Sequence, residues 1–416
     1  MKKVFQRMLG KFFLLFVPLI CSPSANSQEV DLLIKNGHVF DAKNNINSVM
    51  DVAVLDGKIF EIQKSLETDA KKTIDATGLY ICPGLIDIHT HVFVGSDVGK
   101  FANGINSISP DDFTLKAGIT TVVDAGTSGW QNFELFKAQV IDQSKTRILA
   151  FLNIAGSGMR GKPMEEDLSS MQPGKITKLI QKYPQVIVGV KIGHFENASW
   201  VPFDRAITAC NAASVPLFVE CHLPHYSLED QLLRMRPGDI ITHSFEAVSE
   251  RETVIDEEGR VRPYILKARE RGILFDVGHG GAGFWFSQAI PALEQGLWPN
   301  SFGTDMHRFS VNAGMKDMLN VMSKYYAMGM PLEEVFLRAT WNPAQSIKRE
   351  DLGNLDIGSV ADIAILKLRQ GDFGFVDAAG IRINGINKLE AEMTIRAGKI
   401  LWDLNGLGAL PYEKLR

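Results

Sequence analysis

Gly84-Leu85-Ile86-Asp87-Ile88-His89-Thr90-His91 reads as a short apolar strand that closes on two imidazoles. Residues i and i+2 of a strand share a face. Neutral imidazole is the commonest metal ligand, so one strand end can offer a single ion two donors. Working outward, other apolar runs also end on ligand-type residues. Lys191 lies in Val188-Gly189-Val190-Lys191-Ile192, His222 closes Leu217-Phe218-Val219-Glu220-Cys221-His222, His243 follows Ile240-Ile241-Thr242, and Asp305 follows Phe302-Gly303-Thr304.

Eight such runs recur, near 84–91, 118–126, 147–156, 186–194, 216–222, 239–245, 273–280 and 301–307. Helical patterning lies between or after them, clearest at 131–143, 204–213, 315–327 and 332–347. Strand–helix alternation points to a parallel sheet, and eight strands at this spacing to an α/β fold of the (β/α)8 TIM type. The flanks differ. Val30-Asp31-Leu32-Leu33-Ile34 alternates, Asp56-Gly57 is a hairpin signal, and short strands return at 362–368 and 392–402. The chain therefore divides into an N-terminal β part (28–82), a metal-binding barrel (83–349) and a C-terminal β part (350–416). The two β parts are expected to form one small discontinuous β-sandwich domain.

Residues 1–27 read as a secretory signal peptide. Lys2, Lys3, Arg7 and Lys11 precede the apolar run 12–21, and Ala25-Asn26-Ser27 supplies small residues for cleavage. The run is too short to span a bilayer, so the expectation is a periplasmic protein without stable membrane insertion. A mitochondrial presequence, an uncleaved anchor and a lipid on Cys21 are the alternatives. The chain has 416 residues, 45% of them hydrophobic, and a net charge of −4, with no basic stripe; nucleic acid is an unlikely partner and a small-molecule substrate the expected one. A homo-oligomer is compatible with this composition. Three cysteines would remain after cleavage (Cys82, Cys210, Cys221), too few and too scattered for a disulfide framework.

In a β/α barrel, chemistry sits at the C-terminal strand ends, where His89, His91, Lys191, His222, His243 and Asp305 fall. This ordered set resembles the amidohydrolase superfamily of metal-dependent hydrolases, in its dihydroorotase-like and deacetylase-like branch. Pro83-Gly84, Thr340-Trp341-Asn342-Pro343-Ala344 and Gly358-Ser359-Val360-Ala361-Asp362 fit the same resemblance. It implies that His89, His91 and Asp305 hold one divalent ion and His222 and His243 a second. It also implies that Lys191, N6-carboxylated by carbon dioxide, bridges them together with a hydroxide. Asp305 would then be the catalytic general base and acid. Physical chemistry agrees: two cations need a shared anion, and an apolar strand favours the neutral, reactive lysine amine. Nitrogen and oxygen ligands fit zinc, with manganese or iron as alternatives.

Each residue alone has an ordinary reading: a solvent-facing lysine, hydrogen-bonded structural histidines, an aspartate capping a helix. Their order and positions favour the site. His279, in Asp276-Val277-Gly278-His279-Gly280-Gly281, is expected to contact substrate. His225 and His307 are candidates for support of ligands, His194 lies just past Lys191, and Arg160 could meet a carboxylate or form a surface ion pair. The Phe284-Trp285-Phe286 cluster reads as packing. The expected activity is hydrolysis of a non-peptide carbon–nitrogen bond, or of an ester, with an N-acyl or O-acyl carboxylate as substrate. Cyclic amides, as for dihydroorotases and hydantoinases, and a catalytically silent binding protein are the alternatives.

Overall fold

The computed structural model describes residues 29–220, 225–249 and 251–415; the leader-like segment, Cys221 and His222 lie outside them. The chain opens with β1 (Leu32–Asp41), β2 (Ile46–Leu55), β3 (Lys58–Gln63), β4 (Thr73–Asp75) and β5 (Tyr80–Pro83). The barrel strands follow: β6 (Leu85–Thr90), then a short excursion β7 (Val94–Asp97), then β8 (Ile119–Gly129), β9 (Arg147–Asn153), β10 (Ile187–Gly193), β11 (Leu217–Glu220), β12 (Ile240–Ile241) and β13 (Leu274–Phe275). They pair in parallel in the order β6-β8-β9-β10-β11-β12-β13. Every residue of β8 and β10 is buried, which explains why these strands read as unbroken apolar runs rather than as alternation.

The eighth run makes no regular strand, yet it closes the ring. Ser301 bridges Asp276 just after β13, and Met306 bridges Thr90 at the end of β6. His279 N–H donates to the Gly303 carbonyl (3.0 Å) and His91 N–H to the Met306 carbonyl (2.9 Å). Ile86, Ile88, Val123, Ala125, Leu149, Phe151, Phe218 and Ile240 form one buried cluster, the packed barrel interior below the mouth.

Past the barrel come β14 (Ile363–Val376), β15 (Arg382–Arg396) and β16 (Lys399–Asp403). Antiparallel pairing of β14 with β5 joins them to the N-terminal strands, giving one eight-stranded ladder, β16-β15-β14-β5-β1-β2-β3, with β4 beside β1. The discontinuous β domain is thus a single paired sheet drawn from both sides of the barrel. Ile34, Val52, Ile81, Ile363, Ile365 and Met393 pack together across the join.

Two helices differ from the sequence reading. The pattern over 332–347 is two helices, Leu332–Ala339 and Trp341–Ser346, separated at Thr340 (φ −129°, ψ −81°). Restarting the helix places Pro343 in a first turn, where its missing N–H and its ring do no harm. The pattern over 131–143 is one α turn, Phe133–Phe136, widening into an i to i+5 turn over Lys137–Ile141.

Candidate metal centre

The barrel mouth gathers His89 and His91 from β6, Lys191 from β10, Glu220 from the end of β11, His243 after β12 and Asp305 from the closing segment. His243 (φ 55°) and Asp305 (φ 50°) adopt the left-handed backbone that β-branched residues avoid. At these strand ends the turn redirects each side chain toward the axis. Asp305 Oδ1 lies 3.0 Å from His91 Nε2 and 3.5 Å from His89 Nε2. On the other side, His243 Nε2 lies 3.2 Å from Glu220 Oε1, and Lys191 Nζ contacts Glu220 Oε2. One donor atom each from His89, His91 and Asp305, and one each from His89, Glu220 and His243, lie within 4.8 Å of one another.

Each imidazole is oriented from behind. His89 Nδ1 meets Thr242 Oγ1 at 2.9 Å, and that hydroxyl donates to Asp276 Oδ2 at 2.8 Å. His91 Nδ1 meets Thr127 Oγ1 at 3.2 Å, and that hydroxyl donates to Asp124 Oδ2 at 2.6 Å. Because each threonine gives its proton to a carboxylate, it accepts from the imidazole. His243 Nδ1 donates to the Gly278 carbonyl at 2.5 Å. All three rings therefore carry the proton on Nδ1 and point Nε2 at the mouth, the arrangement found where a support group fixes a metal-ligating histidine. His89 Nε2 is buried and lacks any hydrogen-bond partner among the described residues. A buried nitrogen lone pair aimed at a carboxylate is a vacant donor, so the residues fit a divalent ion.

The electrostatics are those of a cation-binding cluster. Burial pushes the His89 imidazole down to about 4. Burial opposes charge on His243 as well, but the Glu220 carboxylate outweighs it and raises that ring to about 9. Burial would raise Asp305, yet His307 and His89 hold it well below the usual carboxylate range. Asp87 is pushed up to about 7 by burial, against hydrogen bonds from Thr304. It accepts from Thr304 N–H (3.1 Å) and Oγ1 (2.5 Å) and so ties β6 to the segment carrying Asp305.

Lys191 is 1% exposed and stacks 5.3 Å above the Phe218 ring. Its space depends on Gly126 (φ +79°), where a Cβ would stand 2.5 Å from Lys191 Cγ. The strand-end placement of His89, His91, Lys191, His243 and Asp305 thus holds together, while His222 lies outside the described residues. His279 differs from its expected role. Its ring is 0% exposed, with Nε2 2.6 Å from Lys324 Nζ and Nδ1 3.0 Å from the Gly280 carbonyl. It lies behind the mouth, and Gly281, Ala282 and Gly283 line the cavity instead. Arg160 pairs with Asp97 (2.9 Å), the surface ion-pair alternative. His307 Nε2 stands 3.6 Å from Asp305 Oδ2, and His225 is exposed. Phe284 and Phe286 pack edge to face in the core. Sequence reading missed Glu220 and both threonine–aspartate supports. Their signal was present: an acidic residue inside an apolar strand run must have a partner.

The mouth opens on a cavity of about 570 Å³ walled by Lys162, His194, Glu165, Arg251 and His307 beside the cluster. His194 (φ 61°) sits between Glu165 and Glu220; burial opposes its charge, but the two carboxylates prevail and raise it to about 10.

The sequence profile described as "Amidohydrolase family" matches residues 287–401. A protein of Brucella anthropi named deacetylase is 33% identical over 347 residues, 80% of this chain and 83% of its own length. Solved structures of an adenine deaminase (TM-score 0.82, 28% identity, 90% of this chain and 100% of that one) and a dihydroorotase (TM-score 0.78, 28% identity, 89% and 99%) share the fold.

Proposed function

The chain belongs to the amidohydrolase family and is a hydrolase of carbon–nitrogen bonds; from that premise we propose that it removes an acyl group from a small N-acyl or O-acyl carboxylate with the help of divalent ions. The observation that carries the reading is the shared orientation of His89, His91 and His243, each held through Nδ1 and offering Nε2 to a carboxylate. His89, His91 and Asp305 would hold one ion. His243, Lys191 as its carbamate and a donor from the end of β11 would hold the other. When bound, such ions acidify a water and polarise the acyl carbonyl.

The remaining work belongs to the chain. Asp305 accepts the proton of the attacking water and returns it to the leaving nitrogen or oxygen as the bond to the acyl carbon breaks. Its place between His91 and His307 keeps it ionised and ready to accept. Lys162 and Arg251 stand at the cavity wall, paired with Glu196 and Glu246, and offer positive charge to a substrate carboxylate. The Gly281–Gly283 backbone allows close approach of the substrate. The composition of residues 1–27 supports export to the periplasm. No helix among the described residues is long and apolar enough to cross a membrane.

A cyclic amide substrate is the second reading, favoured by the likeness to the dihydroorotase structure. A hydrolysis screen separates the two. N-acetyl and O-acetyl carboxylates are assayed beside hydantoins and dihydroorotate, with zinc or manganese added. Turnover of the acetylated acids alone is the expected result. Turnover of the cyclic amides alone selects the second reading, and no metal-stimulated turnover of either class rejects both.

A further inference from the structure

The end of β11 carries a carboxylate, Glu220, two residues before His222, the expected ligand that lies outside the described residues. Glu220 is 6% exposed and is the last residue of that strand. Its Oε1 lies 3.2 Å from His243 Nε2 and 3.2 Å from His194 Nε2, and its Oε2 contacts Lys191 Nζ. His243 already donates through Nδ1 to the Gly278 carbonyl. One donor atom each from His89, Glu220 and His243 lies within 4.8 Å of the others, a spacing that a single divalent ion can span. Within that trio His89 Nε2 is buried and makes no hydrogen bond among the described residues. A site built this way is complementary to a positive charge placed among His89, Glu220 and His243.

We propose that Glu220 is a ligand of the second metal ion and that, until this ion arrives, it pairs with Lys191. The proposal rests on the metal-dependent reading above and adds an anionic oxygen donor to it. It also orders assembly. Carboxylation of Lys191 makes one N–C bond to carbon dioxide, sends two protons to solvent when it starts from the ammonium, and breaks the contact with Glu220. The carbamate would then stand against the Glu220 carboxylate, and two adjacent buried anions are tolerated only with divalent cations among them. Carboxylation of Lys191 is therefore coupled to metal loading. A further consequence is selectivity. A carboxylate among its donors makes the second site harder and more oxygen-rich, which favours manganese relative to zinc.

The test uses the full chain, stripped of metal with a chelator and reloaded with zinc, manganese or an equal mixture in ¹³C-bicarbonate. Bound metal is counted by mass spectrometry, and the carbamate is read by ¹³C NMR. Wild type is expected to bind two ions and show one carbamate signal only when metal is present. Glu220→Gln preserves shape and removes the charge. It should keep the ion held by His89, His91 and Asp305, weaken the second at least ~100-fold and lose the carbamate signal. Retention of the first ion shows that this variant is folded. Glu220→His should regain two ions, with the mixture shifted toward zinc. Two ions at wild-type affinity in Glu220→Gln overturn the proposal, as does loss of the second ion in His222→Ala while Glu220→Gln is unaffected. A wild-type protein that binds no metal rejects the metal-dependent reading itself, a result distinct from either.

Discussion

Lys324 Nζ lies 2.6 Å from His279 Nε2, and neither side chain reaches solvent. The lysine also donates to the Gly314 carbonyl at 2.7 Å. Burial pushes it from an ordinary value of 10.5 to about 7, and the same burial, together with Lys324, keeps His279 neutral. Between pH 7 and 10.5 the unfolded chain holds a proton at this position that the folded protein does not. Stability therefore rises with pH through this window and is lost as pH falls toward 7. Lys324→Met removes the dependence. Urea denaturation at pH 7, 8, 9 and 10 should show the wild type losing on the order of a few kcal/mol relative to the variant as pH is lowered. Parallel pH profiles for the two proteins would show that Lys324 keeps its proton in the folded state.

The two threonine hydroxyls fix imidazole tautomers from opposite sides of the mouth. Thr242→Val and Thr127→Val preserve volume and delete the link to Asp276 or Asp124. Each should lower metal affinity by about 10–100-fold. Each should also cost about 1–3 kcal/mol, because a buried carboxylate and an imidazole N–H lose a partner. Metal titration followed by thermal melting of the stripped protein separates these effects. Unchanged metal affinity would mean that the β6 strand alone orients the rings.

Asp305 is asked to move a proton as well as bind. Asp305→Asn keeps its size and loses its basicity, so turnover should fall by about 10²–10⁴-fold while the far-ultraviolet dichroism stays that of the wild type. Near-normal turnover in a folded Asp305→Asn protein would assign the proton to another group.

Gly126 leaves room for Lys191. Gly126→Ala places a methyl group against the lysine stem at a left-handed position, which should cost about 1–3 kcal/mol and reduce carbamate formation. Melting temperature and the ¹³C signal report the two effects separately. A normal carbamate signal in a destabilised protein would limit Gly126 to a backbone role.

Much of this arrangement was legible in the chain because apolar runs and ligand-type residues coincide at strand ends. His89, His91, Lys191, His243 and Asp305 could be placed from the barrel pattern alone. Glu220 could not, because an acidic residue inside an apolar strand was overshadowed by the histidine two positions later. Asp124 and Asp276 lie in equally apolar surroundings, and their purpose appears only once the intervening threonine hydroxyls are placed in space. His279 shows the opposite failure. Its strand-end position suggested the mouth, but Lys324, a residue on the distant helix Met318–Ala327, captures its ring from behind. Sequence spacing carries no information about such a capture. The short final run closed the barrel without a regular ladder, and the left-handed Asp305 ends its extended backbone.

The pairing of Tyr80–Pro83 with Ile363–Leu366 bears on how the polypeptide is made. On a ribosome, the early strands emerge hundreds of residues before the partner that seals their flank. Until then β5 presents bare amide and carbonyl groups, a template for intermolecular association. Nascent chains halted short of Ile363 should accumulate as aggregates or chaperone-bound species, and release of soluble protein should coincide with synthesis of the last hairpin.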